Sequence, residues 1–250
     1  MGTSTSQRSP ATAEWDRVRE LYLTVNPTPG EIVGRIVAAL DDAAQQRLSD
    51  AAAVRCLDAV LAGSLELAEG GAAALVVRPG ESAALRLAQN VRSAAQNRLG
   101  AEGVASVTGT LALEAIPPAV VEALGTPVAW PELPPETVAS QYARFTTDQN
   151  LSDLSGQFLA HDLDRVFRYF VTRDLSDFVG ESAAPTVADA ARLVSGVGDF
   201  CRERAGVANL RQYEQDLQEI VRMPAERRPR DLEPLWRSGI QEGLAGLAGG

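Results

Sequence analysis

Apolar residues recur at intervals of three and four along most of the chain, which is the spacing of one face of an α-helix. The pattern is strongest in 152–173, where Leu154, Phe158, Leu159, Leu163, Val166, Phe167, Phe170 and Val171 follow it. The same spacing predicts helices over 12–26, 28–40, 49–68, 82–99, 135–147, 186–204, 207–222 and 231–250. The sequence therefore predicts a mainly α protein, built as a multi-helix bundle.

Two segments in the N-terminal half depart from this spacing. Residues 72–78, "AAALVVR", form a short apolar run that stops at a Pro-Gly pair. Residues 103–115, "GVASVTGTLALEA", begin with β-branched side chains but contain Gly109, which weakens a strand. The two segments could pair as a small two-stranded β ribbon, although they do not support a fold based on a sheet.

The segment 125–137, "GTPVAWPELPPET", holds four prolines and cannot continue a helix. We interpret it as a linker between an N-terminal helical part, 12–124, and a C-terminal helical bundle, 138–250. The polar stretch 1–11 is typical of a disordered tail.

Composition restricts the chemistry of the protein. The 250 residues carry a formal charge of −10, which repels nucleic acid and anionic membrane surfaces. All 23 basic residues are arginines, a usage that suggests GC-rich bacterial codons and excludes both a phosphate loop ending in Gly-Lys and a Schiff-base lysine. A single histidine and two distant cysteines cannot supply a zinc site, so we expect no metal or cofactor. No apolar run is long enough to insert in a membrane.

The two cysteines, Cys56 and Cys201, both fall within helical patterns. This placement favours buried free thiols over a disulfide, and therefore a reducing cytoplasm.

One stretch, "AHDLDRVFRYFVTRD" at 160–174, combines the only histidine with acidic and basic residues. On a helix, His161 shares a face with Asp164, Arg165 and Arg168. In a functional interpretation, His161 is a general base oriented by Asp164, while the two arginines bind an anion. In the simpler interpretation, these side chains form a solvated or partner-facing polar stripe, within which Asp164 pairs with Arg168.

Arg227, Arg228 and Arg230 form the one compact basic cluster, which could hold a phosphate or an acidic peptide. A helical regulator that binds nucleic acid would use such a cluster. The charge of −10 and the lack of interleaved aromatic residues argue against it.

The last predicted helix places Leu235, Trp236, Ile240 and Leu244 on one apolar face. This face could dock on a partner, and packing within the chain explains it equally well. Our leading hypothesis is a non-enzymatic interaction module: an adaptor, scaffold or subunit of a bacterial cytoplasmic assembly, which binds another protein or itself. The alternative is an enzyme or binding protein for an anionic small molecule that uses the face around His161.

Overall fold

Helices make up most of the regular structure in the computed structural model, which describes residues 12–104, 106–125, 133–148, 150–205 and 210–249. The α-helices are α1 (Ala13–Tyr22), α2 (Pro29–Ala39), α3 (Asp42–Leu48), α4 (Ala51–Gly70), α5 (Ala83–Glu102), α6 (Val107–Ala123), α7 (Pro135–Thr147), α8 (Leu151–Leu175), α9 (Val187–Ala205), α10 (Glu214–Val221) and α11 (Arg228–Ala248). Short 3-10 helices span Gly71–Ala74, Ser176–Phe178 and Leu210–Tyr213. The prediction of a mainly α bundle is confirmed.

Side-chain caps set the starts of several helices. Thr28 accepts a hydrogen bond from the Glu31 amide, and the Glu31 carboxylate accepts one from the Thr28 amide at 2.7 Å. This capping box begins α2 where the sequence predicts it. Asp50 accepts hydrogen bonds from the amides of Ala52 and Ala53, both at 3.0 Å, so α4 begins after Asp50 and not at Ser49 as predicted.

The predicted β ribbon is wrong, because no strand occurs in the described ranges. Residues 71–74 form a 3-10 helix, and most of the second segment belongs to α6. Ser106 caps α6 by accepting a hydrogen bond from the Gly109 amide at 2.8 Å. Gly109 fits a helix here because it packs against α4: a Cβ at this position would lie 2.5 Å from the Cβ of Ala52.

The long helix α8 lies at the centre of the bundle. It packs against α9 and α6 most extensively, and also against α1, α4, α7, α10 and α11. Most of its side chains are therefore buried, including polar ones that the amphipathic pattern places on its outer face.

Apolar residues from both halves of the chain form one core, which extends from Trp15 in α1 to Leu247 in α11. Of the segments predicted to be irregular, the tail 1–11 and residues 126–132 of the linker lie outside the described residues. The division of the chain at 125–137 stays a prediction. In the part of the chain that the structure describes, each helix is too short or too polar to span a bilayer.

Candidate functional site

The polar face around His161 is covered by neighbouring helices. His161 and Asp164 are buried, and Arg165 and Arg168 are half-buried. The interpretation of this face as a solvated stripe is therefore wrong for His161 and Asp164. The amphipathic pattern of α8 could not reveal the burial of His161 and Asp164, because a pattern within one helix does not show that other helices pack on both of its sides.

Asp164 binds two arginines. It accepts hydrogen bonds from Nε of Arg168, which confirms the predicted pair within α8, and from Nη1 of Arg202 in α9 at 2.7 Å. Arg202 also pairs with Asp199, one turn earlier in α9. Gly198 allows this close approach, since a Cβ there would overlap Asp164 and Arg168. The two oxygens of Asp164 each bind an arginine, so this network joins α8 to α9.

His161 has its own partner on α6. Its Nε2 lies 2.7 Å from a carboxylate oxygen of Glu122, whose side chain is 59% exposed. Burial lowers the pKa of His161, and the hydrogen bond with Glu122 offsets part of this effect. The imidazole is therefore neutral at pH 7 and is oriented by Glu122, whereas the sequence pattern pointed to Asp164.

The predicted anion-binding arginines do not converge. Nε of Arg165 has no hydrogen-bond partner among the described residues. Arg228 turns inward and binds Asp58, Arg227 is exposed, and Arg230 lines a surface cleft of about 520 Å³. This cleft is also lined by Arg55 and by the carboxylates of Glu102, Glu226 and Glu233. Of the basic cluster, Arg228 is thus withdrawn into the core, whereas Arg227 and Arg230 are exposed.

The predicted docking face of α11 packs within the chain itself. Trp236, Ile240 and Leu244 are buried and Leu235 is half-buried. The ring of Trp236 lies 5.5 Å from that of Phe158 in α8, between centroids. Their burial supports the interpretation of intramolecular packing, because docking on a partner would require α11 to leave the core.

An apolar surface lies elsewhere, on two loops that the sequence pattern did not single out. Leu23 and Val25, in the loop between α1 and α2, are 52% and 76% exposed. Val179, which follows the 3-10 helix Ser176–Phe178, is 41% exposed, and Val187, the first residue of α9, is 75% exposed. We refer to these four side chains as the apolar loop patch.

Hydrogen bonding and ring packing bring the two loops together. The amide of Ala183 donates to the carbonyl oxygen of Tyr22 at 3.3 Å, and the rings of Tyr22 and Phe178 lie 5.5 Å apart. The second loop is also closed on itself, because the amide of Gly180 donates to the carbonyl of Ala184 at 2.8 Å. The apolar loop patch is thus presented on backbone with defined internal contacts.

Carboxylates outnumber arginines around the apolar loop patch. Residues 20–34 contain two carboxylates and residues 174–191 contain four, while Arg19, Arg35, Arg173 and Arg192 stand directly outside the two ranges. Glu20, Asp177 and Glu181 are exposed. An apolar surface with an acidic border suits a partner that has apolar and basic side chains.

Comparison with known proteins gives no family to which the chain can be assigned, because no family model, curated protein or solved structure matches it. Within the described ranges, no three His, Cys, Asp or Glu side chains are grouped so that they could hold a metal ion.

Proposed function

We propose that this chain is an interaction module of a bacterial cytoplasmic assembly and binds a protein partner through the apolar loop patch. The observation that carries the proposal is the exposure of Leu23, Val25, Val179 and Val187 on or next to two loops that are joined by a hydrogen bond from Ala183 to Tyr22. Single exposed apolar side chains are common on monomers, whereas several on adjoining segments favour a surface for interaction.

The contacts within the loops favour binding. Immobilising a flexible loop at an interface costs conformational entropy, which weakens association. Here the hydrogen bond from Ala183 to Tyr22 and the packing of Tyr22 on Phe178 already restrict the two loops in the free chain. The apolar loop patch can then be buried with a smaller loss of entropy.

The acidic border defines the partner further. A basic surface is attracted by Glu20, Asp177 and Glu181, and this attraction is screened by salt. The binding of the partner should therefore weaken as ionic strength rises, and replacing Asp177 and Glu181 with lysine should weaken it at low salt.

Site-specific photo-cross-linking in cells of the source organism tests the proposal. A benzophenone amino acid at position 25 or 187 should give the same discrete protein adduct. The matched control is position 76, because Val76 is 69% exposed but lies outside the apolar loop patch. If positions 25 and 187 give no adduct, or only those seen at position 76, the patch is not the interaction site.

The proposal places the protein in a reducing compartment. Cys56 and Cys201 are buried and free, as the sequence predicts. Burial raises the pKa of both thiols, which keeps them protonated and unreactive. Free thiols, and not a disulfide, are what a reducing cytoplasm favours.

A further inference from the structure

A cavity of about 380 Å³ lies on the side of α8 that faces α1, α3 and the first turn of α6. The wall formed by α1 and α8 is aromatic. The rings of Trp15 and Phe170 meet edge to face with centroids 5.6 Å apart, and Tyr169 lies 6.0 Å from Phe170. Leu40, Leu48 and Leu111 add aliphatic surface. The volume lies in the range of pockets that enclose small molecules.

Two arginines line the cavity, Arg47 and Arg173. The guanidinium carbon of Arg173 lies 5.5, 5.7 and 5.6 Å from the ring centroids of Trp15, Tyr169 and Phe170. Arg173 also pairs with Asp174 at 3.0 Å, which fixes its position. Arg47, at the end of α3, is exposed at the cavity. Its side chain makes no ion pair or hydrogen bond within the portion of the chain described.

The backbone of α6 adds to the positive potential. Ser106, Val107 and Thr108 line the cavity and form the N-terminal turn of this helix, where amide groups lack carbonyl partners. One carboxylate, that of Asp50, also lines the cavity. It already accepts the amides of Ala52 and Ala53 at the start of α4, so its charge is partly balanced.

We propose that this cavity binds a small aromatic carboxylate. Arg47 binds the carboxylate of the ligand, together with Arg173 and the first turn of α6. An arginine suits this role because it presents two parallel N–H donors to the two carboxylate oxygens. The aromatic body of the ligand packs against Tyr169 and Phe170, where edge-to-face contacts add to the burial of apolar area. The site is separate from the apolar loop patch and does not depend on its function.

Isothermal titration calorimetry of the full chain with 2-naphthoate tests this site. Neutral 2-naphthylmethanol and cationic 2-naphthylmethylamine serve as controls for the charge of the ligand. We expect binding of the carboxylate at micromolar to millimolar concentration, with weaker binding of the alcohol and none of the amine. Arg47→Gln should weaken binding of 2-naphthoate roughly tenfold, which is the loss of one charge-assisted contact.

Arg92→Gln is the matched control, because Arg92 is exposed on α5 and is not among the residues that line the cavity. It removes the same charge and should leave the affinity unchanged. Ala44→Trp should abolish binding by filling the cavity from α3. The proposal is overturned if 2-naphthoate does not bind, if the three probes bind equally, or if Arg47→Gln and Arg92→Gln have the same effect.

Discussion

Nε of Arg228 donates a hydrogen bond to Oδ1 of Asp58 at 2.6 Å, across 170 positions of the chain. The other carboxylate oxygen of Asp58 binds Arg98 from α5. Arg228 also donates to the carbonyl oxygen of Val221 at 3.3 Å. Asp58 and Arg228 are both buried, so this pair joins α4 to α11 inside the core.

Arg228→Met should destabilise the protein by about 3 kcal/mol, because it leaves the buried carboxylate of Asp58 with a single cationic partner. Urea denaturation at pH 7 measures the loss. Arg227→Met is the control, since Arg227 is exposed beside it and should change the free energy of unfolding by less than about 0.5 kcal/mol. Equal effects of the two substitutions would show that the buried pair contributes nothing specific.

A second prediction concerns the contact of α8 with α9. Gly198→Ala should destabilise the protein by about 1–3 kcal/mol, because the added methyl group displaces Asp164 and Arg168 from their ion pair. Gly34→Ala in α2 is the control, since a Cβ there meets nothing within 4 Å. The control should be stabilised by up to about 1 kcal/mol through helix propensity. Thermal denaturation of the two variants should therefore shift the melting temperature in opposite directions.

Most of the helices could be predicted from the sequence, because they bury an apolar stripe or begin at a capping residue, but α3 and α6 were not predicted. The error at α6 has a definite cause. Val104, Val107 and Thr108 favour a strand locally, but the Ser106 cap and the packing of Gly109 on Ala52 stabilise a helix. The contact with Ala52 spans more than fifty residues, and a local pattern contains no information about it.

The candidate sites were harder to predict for the same reason. The periodicity of α8 placed His161 and Asp164 on a common face, and the structure keeps Asp164 paired with Arg168. Their other partners, Glu122 and Arg202, lie on α6 and α9 about forty residues away. A helix at the centre of a bundle buries its polar face as well, so amphipathicity alone gives the wrong exposure.

The stability of the protein should depend on pH through His161. Burial lowers the pKa of His161 below its value in the unfolded chain, although Glu122 and Asp164 oppose this effect and Arg202 adds to it. The unfolded chain then binds the proton more strongly, so the free energy of unfolding should fall as pH drops below about 6.5. His161 is the only histidine, so His161→Gln should remove this component from urea denaturation between pH 7.5 and 5.5. If the variant loses stability as steeply as the parent, His161 is not the cause.

Asp162, one residue further along α8, is fully buried, and neither carboxylate oxygen has a hydrogen-bond partner within the described ranges. Burial raises the pKa of Asp162 well above its usual value, and the charge of Asp50 raises it further. Folding therefore favours the neutral acid of this side chain.

Asp162→Asn should stabilise the protein at neutral pH, because the amide resembles the neutral acid and cannot ionise. The pKa of Asp162 in the unfolded chain is near 3.8. Above this pH, Asp162 of the unsubstituted protein keeps its proton in the folded state and releases it in the unfolded state. The parent should therefore lose up to about 1.4 kcal/mol of stability per pH unit relative to the variant, until the pH reaches the folded pKa. Urea denaturation from pH 4 to 8 should show the two curves diverging as pH rises. Asp177→Asn is the control, because Asp177 is exposed, and its free energy of unfolding should vary with pH as that of the unsubstituted protein does. If the curve for Asp162→Asn also runs parallel to that of the unsubstituted protein, Asp162 is ionised inside the fold.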